Sequence, residues 1–122
     1  MINPTVMKKI QLTAIFRIHP GKLEAFRELA GKCVAAVKKN EPQALKYDWF
    51  YTADQTECRV RETYADPDAV FAHMANVGPY LGELLSMTDF SGEVYGNPPE
   101  ALKKAFEAFN VTYYSYGDGL ES

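Results

Sequence analysis

The chain has 122 residues, 47% apolar and 24% charged, with a formal net charge of −3. Those proportions describe one ordinary globular domain and exclude a disordered chain, and no stretch of the sequence approaches the about 20 consecutive apolar residues a membrane span needs. Acidic and basic residues interleave, so no basic tract exists to follow a phosphate backbone, and nucleic acid is not an expected partner.

Ile10, Leu12, Ala14, Phe16 and Ile18 alternate with Gln11, Thr13, Ile15 and Arg17, the period of a β-strand. His19-Pro20-Gly21 stops it. Leu23, Phe26, Ala30, Cys33, Val34 and Val37 then recur at helical spacing to about Lys39, with Lys22, Glu24, Arg27, Glu28, Lys32 and Lys38 on the wet side. Asn40-Glu41-Pro42 ends that helix. Strands near 44–53 and 56–65 follow as a hairpin, although Asp54-Gln55 is not the Asn-Gly or Asp-Gly pair of a tight turn.

A helix begins at Pro67, where proline costs nothing because the first helical N–H has no partner, and Asp66 caps it. Gly78-Pro79 predicts a break near Asn76 and a restart at Pro79, because proline disfavours helical geometry in the residue before it. Leu81, Leu84 and Leu85 continue the stripe, and a strand near 88–96 completes a β-α-β-β-α-β order.

That order predicts an α+β, ferredoxin-like split β-α-β sandwich: an antiparallel four-stranded sheet with both helices on one face. The strands carry large residues on both faces, with Phe50 opposing Tyr47, Trp49 and Tyr51, and Ile15 opposing Phe16. An uncovered apolar sheet face predicts a second copy packed against it, hence a homodimer. The domain boundaries expected are an N-terminal extension over 1–9, the core over 10–96, and an extension over 97–122. Within the last, Asn97-Pro98-Pro99 opens a short helix through Leu102 and Phe106, and 111–116 reads as a strand completing an exposed sheet edge, its own or a partner's.

The segment Glu62 to His73 concentrates the candidate chemistry. Alternation places Glu62 on the face of Cys58, Val60 and Tyr64, so its carboxylate points where apolar residues point and needs a partner. Glu62 fits two roles: an orienter or base beside His73, or half of a structural ion pair, for which Arg17 is one available partner. His73 fits a general base, or a histidine on a helix flank satisfied by a local carboxylate. Tyr64, Tyr47, Trp49 and Phe16 supply either core packing or the aromatic walls of a small-molecule pocket. Cys33 and Cys58 lack CxxC or Cys/His spacing and read as buried thiols. With no apolar leader near the N-terminus, a cytoplasmic location is the default.

Three motifs together resemble antibiotic biosynthesis monooxygenase (ABM) domains of the dimeric α/β barrel superfamily: Ala14-Ile-Phe16-Arg17-Ile18-x-Pro20-Gly21-Lys22-x-Glu24-Ala25-Phe26, Glu41-Pro42-x-Ala44-Leu45-x-Tyr47, and Glu62-x-Tyr64-x-Asp66-x-x-Ala69-x-x-x-His73. The match spans roughly residues 10–95. The resemblance implies a homodimer with a cavity between sheet and helices, and oxidation of a small aromatic phenol or quinol by dioxygen without metal, flavin or other cofactor. It places His73 and Glu62 as catalytic, with Tyr64, Tyr47, Trp49 and Phe16 at the substrate. Haem degradation, another activity in the superfamily, is poorly supported. Members with it carry an asparagine near the end of the first strand, a tryptophan at the end of the third and a histidine on the second helix; here those places hold Phe16 or Ile15, Tyr64 and His73. Isomerisation of a small carbonyl compound by the same pair, and a non-catalytic binding or stress-associated dimer, are the alternatives.

Overall fold

The structure, a computed structural model, describes residues 8–121; of the expected 1–9 extension only the last two residues lie among them. The elements run β1 (Ile10–Ile18), α1 (Leu23–Asn40), β2 (Ala44–Tyr51), β3 (Glu57–Tyr64), α2 (Pro67–Ser86), β4 (Thr88–Tyr95), α3 (Glu100–Ala105) and β5 (Val111–Tyr114). This is the α+β ferredoxin-like fold, enlarged to a five-stranded mixed sheet in the order β2-β3-β1-β4-β5. The first four strands pair antiparallel. β5 pairs parallel with β4 of the same chain, Val111 opposite Gly92 and Tyr114 opposite Tyr95.

The hairpin between β2 and β3 closes without an Asn-Gly turn because Asp54 ties it instead. Its carboxylate accepts from Thr52 Oγ1 (2.8 Å), Thr56 Oγ1 (2.8 Å) and the Thr56 amide (3.1 Å), which holds that carboxyl below its ordinary value. Gln55 takes the left-handed conformation, φ 58°.

The expected interruption at Gly78-Pro79 does not occur: α2 is one helix of 20 residues. Part of the clash that disfavours helix before proline falls on the preceding residue's Cβ, and Gly78 has none. The stripe of Ala69, Val70, His73, Val77 and Leu84, all buried, holds the helix across the lost hydrogen bond. At its start Asp66 accepts from the Ala69 amide at 2.9 Å, as the sequence predicts.

The core lies between the sheet and α1 and α2, with Phe16, Phe26, Leu29, Cys33, Val60 and Leu84 among its members. A second cluster joins Ile10, Tyr64, Val70 and Val94 to Leu102 and Phe106 from the C-terminal extension. Leu102 is fully buried and Phe106 nearly so; full burial of such side chains stabilises by about 1.5–3 kcal/mol each. The extension is therefore part of its own chain's interior.

The opposite sheet face is less apolar than Phe50 and Ile15 alone suggested. Ile15 is buried and sits in register between Arg59 and Ser91, and Thr13 between Arg61 and Glu93. Phe50 remains 54% exposed, and Tyr95 stacks on Tyr114 with ring centres 5.2 Å apart. Among the described residues no helix is long and apolar enough to cross a membrane.

Candidate functional site

Three elements bring ionisable groups to one place on the inner sheet face. β3 delivers Glu62, opposite Leu12 on β1 and Tyr47 on β2. Two turns into α2 stands His73. Glu41, the residue that ends α1, turns its side chain inward while its amide still bonds the Val37 carbonyl. Both carboxylates and the imidazole are almost wholly removed from water, with side chains 4, 9 and 11% exposed for Glu41, Glu62 and His73.

His73 lies between the two carboxylates. Its Nδ1 is 3.0 and 3.1 Å from the two oxygens of Glu41. An ionised carboxylate only accepts, so this contact assigns the proton to Nδ1 and leaves Nε2 facing Glu62 Oε1 at 3.5 Å. The Tyr64 hydroxyl donates to that same Glu62 oxygen at 2.5 Å. On the far side, Asn76 donates to Glu41 Oε2 at 2.7 Å and to the Ala36 carbonyl at 3.0 Å, which locks the carboxylate against the end of α1. The result is a chain of polar side chains running Asn76, Glu41, His73, Glu62, Tyr64 through an apolar interior.

Burial pushes the Glu62 carboxyl above its ordinary value, against the attraction of His73 and the Tyr64 hydrogen bond, and Glu41 adds to the upward displacement. Burial likewise raises the Tyr47 and Tyr64 phenols, with Glu62 adding to both, so these hydroxyls stay protonated and act as donors. The Cys33 thiol is pushed up to about 11 by burial, against the opposing influence of the neighbouring Tyr47 hydroxyl. Cys58 rises to about 11 for the same first reason. Neither thiol has the thiolate character that nucleophilic or redox chemistry requires.

Next to this chain the sheet and α2 enclose a cavity of about 110 Å³, room for a ligand on the scale of a single aromatic ring. Glu62, His73, Tyr47, Trp49 and Phe16 line it. Phe106, Phe109 and Val111 close it from the C-terminal extension, beside Phe90 and Gly92 of β4. Aromatic groups crowd the polar end: Tyr47 and Tyr64 each stand with ring centres 5.1 Å from His73. Trp49 lies parallel to Phe16 at 6.1 Å. Among the described residues no group of three or more His, Cys, Asp or Glu is arranged to hold a metal ion.

Of the residues singled out from the sequence, five line the cavity. The sixth, Tyr64, is fully buried behind Glu62 and is not among the lining residues. Arg17 does not reach Glu62; it pairs with Glu57 at 3.6 Å, which removes it as the carboxylate's structural partner. Sequence reasoning missed Glu41 and Asn76. One signal was present: an acid closing a helix opposes the negative end of the helix dipole, so Glu41 needed another reason to be there. It also missed that the extension would wall the cavity.

The family model described as "Antibiotic biosynthesis monooxygenase" matches residues 10–78. Among curated proteins, none matches the sequence significantly. Among solved structures, MupZ from Pseudomonas fluorescens superposes with a TM-score of 0.78 at 21% identity, covering 94% of this chain and 95% of its own. Rv0793 from Mycobacterium tuberculosis has a TM-score of 0.66 at 21% identity over 76% of this chain and 98% of its own. A variant of SnoaB, a cofactor-independent oxygenase from Streptomyces nogalater, has a TM-score of 0.62 at 16% identity over 71% and 90%. At these identities the likeness is one of fold.

Proposed function

This chain belongs to the antibiotic biosynthesis monooxygenase family, and on that premise we propose that it oxidises a small phenol or quinol with dioxygen, using no cofactor. The observation that carries the proposal is His73 held between two buried carboxylates at the wall of an apolar, aromatic-lined cavity. Glu41 fixes the proton on Nδ1, which frees Nε2 to take the proton of a substrate hydroxyl. Glu62, beside Nε2, stabilises the imidazolium so formed.

The substrate itself supplies the electrons. The phenolate passes one electron to dioxygen; the superoxide and the phenoxyl radical then combine, forming a carbon–oxygen bond at a ring carbon that bears hydrogen. The imidazolium protonates the resulting peroxide; Nε2 then takes that carbon's proton as the O–O bond breaks, leaving a carbonyl on the ring and hydroxide, which receives that proton from the imidazolium and leaves as water. One oxygen atom enters the product and the other leaves as water. The protein contributes position, a base and the exclusion of bulk water. SnoaB, described as a cofactor-independent oxygenase, lends this reading support through its shared fold.

The test is oxygen uptake by metal-stripped protein supplied with a panel of phenols and quinols. Wild-type turnover is expected to fall by roughly 10²–10⁴ in His73→Ala. Uptake at the wild-type rate by that variant removes His73 as the base.

A second reading is proton transfer without oxygen, as in isomerisation of a small carbonyl compound. The juxtaposition of Glu62 and His73 Nε2 favours it, because a carboxyl raised by burial and an imidazole can exchange one proton. Turnover under argon distinguishes the two. We also propose that the chain works as a homodimer, supported by the exposed Phe50 on the sheet face away from the helices. Sedimentation at twice the chain's mass is expected.

A further inference from the structure

A ligand at His73 must pass the wall of the cavity, and that wall is unevenly held. β1 is paired on both sides, with β3 and β4, and the α2 stripe of Val70, Val77 and Leu84 is buried, as is Phe106. Elements held like these open with the fold as a whole, whereas segments bonded on one side open at far lower cost.

Tyr47 belongs to the second kind. It stands on β2, an edge strand of the sheet. Just before it the ladder slips: Ala44 pairs with Tyr64 and Lys46 with Thr63, so Leu45 is an extra residue, 53% exposed. A bulge of this kind disrupts the ladder locally and re-aims the side chains beside it. The half-buried Tyr47 ring meets its neighbours edge-on, His73 at 5.1 Å and Trp49 at 5.8 Å. Its hydroxyl stands beside the Cys33 thiol, a weak partner.

Of the residues that line the cavity, Tyr47 alone also lines an outer cleft, formed where α1 ends and β2 begins, with Val37, Lys38, Glu41, Lys46 and Asp48 around it. The cleft holds about 550 Å³, ample for a phenol ring swung out of the wall. We propose that Tyr47 is the door of the cavity: its ring turns into the cleft, the ligand passes from the cleft to His73, and the ring closes behind it. The door concerns entry, so it holds whichever chemistry His73 performs. The competing entrance is the opposite wall, where Phe109 is also half-buried.

Cys33 reports on the door, because it lines the cavity beside Tyr47, whereas Cys58 is buried and does not line it. Methyl methanethiosulfonate converts an accessible thiol to its methyl disulfide and releases methanesulfinate. Mass spectrometry of the digested protein then gives the rate at each cysteine. In Tyr47→Ala, Cys33 should react roughly tenfold faster than in the wild type, the factor that exposing a half-buried ring imposes on wild-type opening, with Cys58 unchanged. Losing the Tyr47 hydroxyl by itself disfavours the thiolate, so a faster reaction reports access and not acidity.

A second measurement keeps Tyr47 in place. Lys38 and Lys46 are exposed at the rim of the cleft. Reversing both charges, in Lys38→Glu with Lys46→Glu, should turn the preference of Cys33 from the anionic sulfonatoethyl methanethiosulfonate toward its cationic trimethylammonioethyl analogue. At low salt the change should be roughly tenfold or more. Cys33 unaccelerated in Tyr47→Ala overturns the door. An unmoved charge preference also overturns it, and places the entrance at Phe109. Should Cys58 accelerate together with Cys33, the variant has loosened as a whole and the charge preference alone decides. Oxygen uptake bears on His73 as the base and leaves these results untouched.

Discussion

Replacing Glu62 by glutamine should remove part of the protein's pH dependence of stability. The wild-type carboxyl is buried, its ordinary value of 4.5 is raised in the folded state, and burial is the largest cause. A group bound more tightly to its proton when folded stabilises the native state below its unfolded value, and that stability is lost as pH rises through the folded value. The affected window therefore opens at about pH 4.5 and extends upward. Within it one extra proton is held by the native protein, so unfolding free energy falls by up to about 1.4 kcal/mol per pH unit. Two neighbours moderate the fall, the positive charge of His73 when its Nε2, 3.5 Å away, carries a proton, and the Tyr64 hydroxyl at 2.5 Å, since both favour the charged form. Glutamine keeps an acceptor for Tyr64 and a neutral head of the same size, so it imitates the protonated acid and cannot titrate. Urea unfolding of both proteins at half-unit intervals from pH 4.5 to 8 measures the difference. Glu62→Gln is expected to gain on the wild type steadily as pH rises. A constant difference, or a wild type that gains on the variant, would refute the claim that burial dominates at Glu62.

Glu41→Gln should lower kcat by up to the roughly 10²–10⁴ that a positioned acid–base group contributes, with KM little changed, because Glu41 touches His73 and not the cavity; steady-state kinetics separates the two parameters. Phe109→Ala opens the wall contributed by the C-terminal extension, and binding measured over one- and two-ring phenols should shift toward the larger ligands. Its stability cost should stay below the roughly 3–5 kcal/mol of a fully buried phenylalanine, since Phe109 is only half-buried. Asp66→Ala removes the acceptor for the Ala69 amide and should cost about 1 kcal/mol in urea unfolding, without changing ligand affinity.

What the chain alone determined is whatever depends on near neighbours in sequence. The period-two run of β1, the helical stripe of α1 and the Asp66-Pro67 start of α2 are local facts, and their order implies the ferredoxin-like sheet. The same alternation put Glu62 inside and made it an anomaly needing a partner. Which partner it has was decided by the tertiary structure. Arg17 was chemically suitable, yet register gives it Glu57, whereas His73 arrives from a helix crossing the same sheet face. Glu41 and Asn76 are 35 positions apart, and only the packing of α1 on α2 makes them one unit with the imidazole. Propensity also misjudged Pro79, because tertiary burial of the α2 stripe and the missing Cβ of Gly78 outweigh a local rule about proline. The cavity is the furthest from sequence: it is space left between elements, and its closing wall comes from Phe106, Phe109 and Val111. A volume that no residue occupies leaves no periodicity to read, since it exists only after the chain has packed around it.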